Sequence, residues 1–321
     1  MSTSKILITG ITGQDGIFLS SNLIENYEDV QIIGTTRSKL SSQFSNNFLR
    51  ISNKKNLKSI KLIEIDLTNK QQVNGLIQDY KFDKIINLTG PSSVYESFSD
   101  STKYKELIVE QFDNLINNCI SNNIFPDFFQ ASSSEMFSTK ATLPLNEDSF
   151  MEPRSPYALA KYNLHKKIET LKIDMNWNIK SGIMFNHESE FRNNNFLIMK
   201  VITTALSIYK GEAEELVVGS IDYKRDWTHA EDIVDAISKI IFEDRPINYV
   251  IGSGVSNSVL ELIELVFSFL ELKYEDFLII DDSLLRKGDP TEVVSNPSLI
   301  KKNLGWSPKI NFQEMVLKIL N

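Results

Sequence analysis

Cysteine is almost absent from this sequence of 321 residues, which contains only Cys119. A single cysteine excludes an intrachain disulfide framework and a site built from several thiolates, and it favours a reducing compartment. Histidine is also scarce. His165, His187 and His229 have no spacing typical of metal ligands, so we expect no metal site and assign these side chains to local hydrogen bonding.

Long apolar runs and dense basic clusters are missing as well. No stretch approaches the ~20 consecutive apolar residues of a membrane span, so no membrane partner is expected. The first residues carry no pattern of a secretory signal, which predicts a cytoplasmic location. The chain has 34 Lys and Arg against 42 Asp and Glu, a net charge of −8, and no basic block that would indicate a nucleic-acid partner.

What the sequence does contain is a regular alternation of short apolar runs with longer polar stretches. This pattern predicts an α/β fold with a doubly wound parallel sheet of the Rossmann type. The predicted strands cover residues 5–9, 31–34, 60–65, 84–88, 126–131 and 179–185, and helices are predicted near 104–122 and 156–175. Residues 38–56 are rich in Ser, Asn and Lys and are interpreted as a mobile surface loop.

The pattern changes after Asn186, where polar residues precede further helix candidates. Helices are predicted near 196–210, 230–242 and 258–271, with short strands at 216–218, 249–251 and 277–280. The length suggests about two domains. We therefore predict a dinucleotide-binding domain of residues 1–186 and 216–252, interleaved with a smaller C-terminal substrate-binding lobe of residues 187–215 and 253–321.

A glycine-rich turn follows the first predicted strand directly. Its sequence is Gly10-Ile11-Thr12-Gly13-Gln14-Asp15-Gly16, and a helical run comes after it. Glycines at this spacing allow a tight turn and a close approach of the backbone to a pyrophosphate, which the helix N-terminus then attracts. The turn predicts a dinucleotide site formed by Gly10, Thr12, Gly13, Gln14, Asp15 and Gly16. Glycines that only shape a loop are the alternative.

The residues after the second strand indicate which dinucleotide is bound. An acidic residue there would bind the ribose of NAD, but this chain has Thr35-Thr36-Arg37-Ser38. Because Arg37 can form charge-assisted hydrogen bonds with a 2′-phosphate, the predicted cofactor is NADP. Asp66 and Leu67 are placed near the adenine, although Asp66 as a simple helix cap is equally compatible. Leu88, Tyr157 and Lys161 complete the predicted cofactor site.

Two pairs of side chains are candidates for proton transfer. Tyr157 and Lys161 are four residues apart at the start of a predicted helix, so they share one face and the ammonium can favour the phenolate. Ser133 and Glu135 follow a strand end, and in an extended chain they would point to the same side. Serines that cap a helix, with Glu135 in solvent, are the alternative.

Together these residues resemble the extended short-chain dehydrogenase/reductase family of nucleotide-sugar enzymes, and most closely its GDP-mannose 4,6-dehydratase members. The similarity is carried by five segments and extends from residue 5 to about residue 310. These segments are Ile8 to Gly16, Gln130 to Phe137, Pro153 to Ala158, Phe185 to Ser189 and Lys224 to Trp227.

The resemblance implies a redox-neutral dehydration of a nucleotide-diphospho-sugar. Bound NADP would oxidise C4, the Tyr157 phenolate would take the hydroxyl proton with Lys161 as its activator, and Glu135 would remove the C5 proton as the C6 hydroxyl leaves. Ser133 stands where the family usually has Thr. By the same resemblance Asn186, Arg192, Lys200 and Arg225 contact the substrate, and the enzyme is a homo-oligomer.

Two segments depart from the dehydratase pattern. Gly90-Pro91-Ser92-Ser93 replaces a pattern of small residues and Gln, and its proline can reshape the wall beside Ser92, a predicted substrate contact. The segment Arg286-Lys287-Gly288-Asp289 resembles nucleotide-sugar epimerases instead, where Arg meets the pyrophosphate and Asp a ribose hydroxyl. A 4-keto-6-deoxy-sugar reductase, a C4 epimerase and a non-catalytic NADP-binding protein therefore stay open as alternatives.

Overall fold

The computed structural model describes residues 3–37, 41–52, 57–285 and 288–320. The strands are β1 (Ser4–Thr9), β2 (Val30–Thr36), β3 (Ile60–Glu64), β4 (Lys84–Asn87), β5 (Asp127–Ser133), β6 (Ile179–Met184), β7 (Asn186–Glu188), β8 (Leu216–Val218), β9 (Lys224–His229), β10 (Tyr249–Ile251), β11 (Ser256–Ser258), β12 (Leu278–Ile280) and β13 (Glu292–Val293). The α-helices are α1 (Gln14–Asn26), α2 (Ser41–Ile51), α3 (Lys70–Tyr80), α4 (Val94–Ser99), α5 (Ser101–Lys105), α6 (Gln111–Ser121), α7 (Pro156–Met175), α8 (Leu197–Tyr209), α9 (Ala230–Ile241), α10 (Val259–Phe269), α11 (Ser298–Leu304) and α12 (Phe312–Leu320).

Seven parallel strands form the main sheet, in the order β10-β6-β5-β4-β1-β2-β3. The chain reverses its direction of progress across the sheet between β1 and β4. Ligands of open α/β sheets bind at such a switch point, beyond the carboxyl ends of the strands. The predicted α/β fold with a doubly wound parallel sheet is confirmed.

Apolar residues of β1 show why the sheet is covered on both faces. Ile6 and Ile8 point into a core shared with α1 and α9, whereas Leu7 points into the opposite core, shared with α6 and α7. All three side chains are fully buried. A strand that is buried on both sides is apolar throughout, which is the pattern that predicted a parallel sheet.

Residues 41–51 form a helix, so the prediction of a mobile loop over residues 38–56 is wrong for this part; residues 38–40 and 53–56 lie outside the described residues. The reason is a pair of phenylalanines. Phe44 and Phe48 are one helical turn apart and are 2% and 0% exposed against the core around α1. The predicted helix at 104–122 is also subdivided, because a π-helical segment, Glu106–Glu110, joins α5 to α6.

Outside the main sheet the chain forms short strands, most of which the sequence pattern did not reveal. We use the name second lobe for β7, β8, β9, β11, β12 and β13, for the helices α8, α10 and α12 that pack with them, and for the residues between β7 and α8. The strands β7, β9, β11 and β13 form a four-stranded sheet, and β8 pairs with β12 rather than with the main sheet. Trp227 and Trp306 are buried. No helix in the described part of the chain has the length and apolar character needed to cross a membrane.

The buried carboxylate of Asp226 holds the second lobe together. It accepts hydrogen bonds from the backbone and hydroxyl of Ser253, from the backbone of Gly254, and from the backbone and hydroxyl of Ser295. The side chain is fully buried. A buried carboxylate needs several hydrogen-bond donors. Here the donors come from the segments after β10 and β13, so the bonds hold these two segments together.

Candidate active site

A cavity of about 640 Å³ opens at the carboxyl edge of the main sheet, between the sheet and the second lobe. Ser133, Glu135, Tyr157 and Lys161 all line it. Asp15 and Leu88, from the predicted cofactor site, line it as well. The structure thus brings the predicted proton-transfer residues together at the edge where the strand order predicts a ligand.

The glycine turn has the geometry that a dinucleotide needs. Gly10 has φ +71°, a left-handed conformation that favours glycine, and the Gly13 N–H donates to the Gly10 carbonyl at 3.0 Å. A Cβ on Gly16 would lie 2.5 Å from the backbone of Ile11. No side chain caps the start of α1 at Gly13, so N–H groups at this helix end are available to an anion.

The side chains of Gln14 and Asp15 bind the second lobe. Gln14 accepts a hydrogen bond from Ser189 Oγ at 2.8 Å, and its Nε2 donates to the His187 carbonyl at 3.3 Å. The His187 Nε2 lies 3.1 Å from Asp15 Oδ2. Burial acts to raise the pKa of Asp15, but the charge and hydrogen bond of His187 outweigh it and lower the pKa to about 2. The glycine turn and β7 are therefore directly joined.

The residues predicted to select the cofactor lie at the ends of β2 and β3. Arg37 is exposed, and Asp66 accepts hydrogen bonds from the backbone and hydroxyl of Thr68 at 2.9 and 2.8 Å. These bonds, together with the nearby Arg37 charge, lower the pKa of Asp66. The alternative of Asp66 as the cap of α3 is wrong, because Asn69 caps that helix. Leu67 is buried.

Tyr157 and Lys161 lie on the first turns of α7, whose N-cap is Ser155. The Lys161 Nζ is 5.8 Å from the centre of the Tyr157 ring and donates to the Ala131 carbonyl at 2.9 Å. Burial lowers the pKa of Lys161 to about 8, against the opposing charge of Asp15. The pair is thus positioned by one helix face, as the spacing predicts.

The expectation that Lys161 lowers the pKa of Tyr157 is wrong for the protein without a bound cofactor or substrate. Burial raises the pKa of Tyr157 to about 12, although its hydrogen bond with Ser133 acts to lower it, and the charge of Glu135 adds to the rise. The Lys161 ammonium is directed at the Ala131 carbonyl rather than at the phenol. The protein by itself therefore keeps Tyr157 protonated.

Ser133 and Glu135 reach the cavity by a different route from the extended chain that we expected. Ser133 ends β5 and caps a short 3₁₀ helix, Ser134–Met136, and its Oγ accepts from the Glu135 N–H at 3.3 Å. The capping alternative is therefore correct for Ser133, but Glu135 is only partly exposed and lines the cavity. A hydroxyl, a carboxyl, a phenol and an ammonium share one cavity.

The predicted substrate residues also converge on the cavity. Those that line it are Ser92, Asn186, Arg192, Lys200, Arg225 and Asp289. Arg286 lies outside the described residues. Two of the basic residues already have protein partners: Arg192 lies 3.3 Å from Glu188 and stacks 3.5 Å above the Phe196 ring, and Arg225 binds Asp289 at 2.9 Å.

Two buried residues beside the predicted site residues, Tyr104 and Glu188, were not predicted from the sequence. Tyr104 packs edge-on to Tyr157 with ring centres 6.4 Å apart, and it is buried. Glu188 is buried beside Arg192, and burial raises its pKa. No spacing in the sequence marks Tyr104, whereas Glu188 belongs to the segment Phe185 to Ser189. No group of three metal-ligating side chains occurs within the described ranges.

Known proteins match this chain along nearly its whole length. A family model described as GDP-mannose 4,6 dehydratase matches residues 7–319. GDP-mannose 4,6 dehydratase 1 of Arabidopsis thaliana is 30% identical over 314 residues, which cover 97% of this chain and 87% of that protein.

Two solved structures share the fold. The dTDP-glucose 4,6-dehydratase of Bacillus anthracis in complex with NAD has a TM-score of 0.83 at 20% identity, covering 99% of this chain and 95% of its own. The RMD protein of Pseudomonas aeruginosa, complexed with NADPH, has a TM-score of 0.81 at 21% identity, covering 99% of this chain and 98% of its own.

Proposed function

Because the chain belongs to the GDP-mannose 4,6-dehydratase family, we propose that it dehydrates a nucleotide-diphospho-sugar of the GDP-mannose type to the 4-keto-6-deoxy product. The observation that carries this proposal is the position of Glu135. A carboxyl group shares one cavity with Tyr157, Lys161 and Ser133. An oxidation at C4 alone needs no such acid, whereas the loss of water across C5 and C6 needs a base and an acid.

We propose NADP as the cofactor, which supplies reversible hydride acceptance when bound. The support is the glycine turn with its uncapped helix end and the exposed Arg37 after β2, whose guanidinium can form charge-assisted hydrogen bonds with a 2′-phosphate. Related folds have been solved with NADPH and with NAD, so a nicotinamide cofactor is the broader expectation. Exchange of Arg37→Ala should weaken NADP binding about tenfold or more and leave NAD binding unchanged.

The residues of this chain divide the proton transfers between them. Tyr157 exchanges a proton with the C4 hydroxyl, and the Ser133 hydroxyl, which hydrogen-bonds the phenol, orients it and favours the phenolate. Lys161 supplies positive charge beside the ring. Once C4 is a ketone, Glu135 takes the acidified C5 proton and returns a proton to the C6 hydroxyl, which leaves as water. The hydride taken from C4 would then return to C6, and a proton to C5, to give the 4-keto-6-deoxy sugar.

We propose that basic residues of the second lobe bind the phosphates and the nucleoside. Arg192, Lys200 and Arg225 line the cavity together with Asn186 and Ser92. Arg286 remains a predicted pyrophosphate contact. Asp289 binds Arg225 at 2.9 Å and is our proposed contact to a ribose hydroxyl. In this proposal the ion pair determines the position of the nucleoside.

The direct test is incubation of the purified protein with GDP-mannose and other nucleotide sugars, without added reductant, followed by mass spectrometry. We expect loss of one water and a 4-keto product. The variant Glu135→Gln should lower this activity by about 10²–10⁴-fold while cofactor binding persists. Glu152→Gln is the matched control, because Glu152 bonds Ser138 away from the cavity.

Other outcomes of the same incubation identify the alternatives. Net consumption of NADPH with a 4-keto sugar would establish a reductase, and interconversion of sugars without loss of water would establish an epimerase. Full activity of Glu135→Gln would remove this carboxyl from the mechanism.

We also propose a cytoplasmic homo-oligomer, with no nucleic-acid or membrane partner. The homo-oligomer is supported by two exposed apolar side chains of α7, Leu159 and Ile173, which are 50% and 81% exposed. Light scattering of the purified protein should therefore give a mass that is a multiple of the 36.7 kDa chain.

A further inference from the structure

A row of buried polar side chains crosses three neighbouring strands at the carboxyl edge of the sheet. Thr9 of β1 is the register partner of Asn87 of β4, and Asn87 is the register partner of Gln130 of β5. Gln130 is 1% exposed, as is Asn87, and Thr9 is fully buried. None of these three residues has a part in the proposed proton transfers.

The hydrogen bonds along this row are continuous. Thr9 Oγ1 donates to Asn87 Oδ1 at 2.5 Å, and Asn87 Nδ2 donates to Gln130 Oε1 at 2.7 Å. Gln130 Nε2 then donates to the Ala131 carbonyl at 2.8 Å. The same carbonyl accepts the ammonium of Lys161 at 2.9 Å, so the row ends on the lysine of the active site.

The direction of the row is determined by its last member. A carbonyl oxygen only accepts, so Gln130 must turn its NH₂ group toward Ala131 and its oxygen toward Asn87. Asn87 must then present its own NH₂ group to Gln130, and its oxygen accepts from Thr9. Each side-chain amide therefore has only one orientation that satisfies its buried polar atoms.

We propose that Gln130 is a positioning residue for Lys161: by sharing the Ala131 carbonyl with the ammonium, it fixes where the Nζ lies and limits how strongly that carbonyl holds the charge. The proposal deepens the proposed dehydration and rests on it for its kinetic test. Gln130 does not itself line the cavity, whereas Ala131 and Lys161 do.

The physical reason is competition for one acceptor. A carbonyl that already accepts a hydrogen bond from an amide is a weaker acceptor for an ammonium, and the second donor also restricts its movement. Loss of the amide would leave the carbonyl to Lys161 alone, which stabilises the charged form. It would also let the Nζ move away from Tyr157, and misplacement of a reacting group by about 1 Å can cost on the order of 100-fold in rate.

Gln130→Met leaves the charged groups around Lys161 unchanged, so a difference in the titration of Lys161 in this variant is not caused by them. The titratable side chains that act on Lys161 or on its neighbour Tyr157 are Asp15, Glu135, Arg192 and Tyr104.

The first test is Gln130→Met, which keeps the shape of the side chain and removes the amide. We expect kcat to fall about tenfold or more with KM within a factor of about two, and the basic limb of the kcat/KM profile to move to higher pH. Gln111→Met is the matched control, because Gln111 is 3% exposed on α6 and does not line the cavity. Equal behaviour of the two variants would overturn the proposal.

A second variant covers the case in which Gln130→Met does not fold. In Gln130→Glu the carboxyl still accepts from Asn87, and it donates to the Ala131 carbonyl only while it is protonated. Its activity should therefore be close to that of the unchanged protein at low pH and decline in an additional step as pH rises. A pH profile like that of the unchanged protein would contradict the proposal.

A third measurement does not depend on the reaction. Lysines labelled by reductive methylation with ¹³C-formaldehyde titrate individually by NMR, and Lys161→Arg assigns the Lys161 signal. We expect Gln130→Met to shift the Lys161 titration upward by roughly one pH unit. An unshifted signal would overturn the proposal, whereas absence of dehydration by the unchanged protein would overturn only the proposed function.

Discussion

The carboxyl edge and the amino edge of the main sheet, where its parallel strands end and begin, each hold a buried lysine. The two lysines have different surroundings. Lys161 lies at the carboxyl edge and Lys180, on β6, lies toward the amino edge. Burial lowers the pKa of each to about 8. Only Lys161 lines the cavity with a phenol and a carboxyl.

Protein groups satisfy the charges of Lys180 and Lys84 at the amino edge. Lys180 Nζ donates to the carbonyls of Ile240, at 3.0 Å, and Glu243, so it binds carbonyls at the end of α9. Lys84 binds Asp127 at 2.6 Å over a shallow depression of about 430 Å³. A lowered pKa therefore does not by itself identify a catalytic lysine, because the structural Lys180 and the candidate catalytic Lys161 both have one. The groups around each lysine distinguish them.

The largest expected effect separates the two lysines by activity. Lys161→Met should lower dehydration by about 10²–10⁴-fold, because the positive charge beside Tyr157 is lost. Lys180→Met should retain activity per folded molecule. The comparison fails if both variants lose activity equally when rates are divided by the folded fraction measured by circular dichroism.

Stability should show the reverse order. Lys180→Met removes hydrogen bonds of the ammonium to two carbonyls, those of Ile240 and Glu243, and we expect a loss of about 1–3 kcal/mol in the free energy of unfolding. Lys161→Met should cost less, because the ammonium of Lys161 donates to one carbonyl, that of Ala131, which keeps its bond from Gln130. Urea denaturation of both variants measures the difference, and a larger loss for Lys161→Met would contradict this view.

The pH dependence of stability should contain the signature of a buried lysine. The pKa of Lys180 is about 8 in the folded chain against 10.5 as its ordinary value, so the unfolded chain binds more protons between these pH values. Stability from this group therefore rises with pH from 8 to 10.5, by at most about 1.4 kcal/mol per pH unit. Denaturation series at pH 8, 9 and 10 should show a smaller slope for Lys180→Met, and an unchanged slope would exclude this origin.

Salt should give the smallest effect. Ions at about 0.5 M enter the open cavity and screen the charges that attract a nucleotide sugar, so KM should rise a few-fold. The Lys84–Asp127 pair is mostly buried, at 14% and 28% side-chain exposure, and should be little affected. If added salt lowered the Tm and left KM constant, the charges at the amino edge would be the salt-sensitive ones, which contradicts this prediction.

Much of the main sheet could be predicted from sequence because its strands are apolar on both faces. The helix Pro156–Met175 has the predicted bounds, and its spacing correctly placed Tyr157 beside Lys161. The second lobe was harder, since its strands are often three residues long and polar, and only their pairing with distant segments stabilises them.

The parts of the site that could not be predicted depend on distant contacts or on burial. His187 lies beside Asp15 across 172 positions of sequence, and no local pattern encodes that approach. The direction of the Tyr157 pKa follows from burial, which a helical spacing does not reveal. The helix at 41–51 was missed because Ser and Asn surround the two phenylalanines that hold it.

The bonds of Gln14 and Asp15 to β7 bear on how long a dinucleotide stays in place. The turn that would hold its pyrophosphate is anchored to the second lobe through Ser189 and His187, so opening this side requires those bonds to break. A catalyst that takes up a hydride and gives it back within each cycle has no need for a fresh coenzyme. Slow exchange of the bound dinucleotide then does not limit turnover. The contacts that order the glycine turn also favour a long residence time of the dinucleotide.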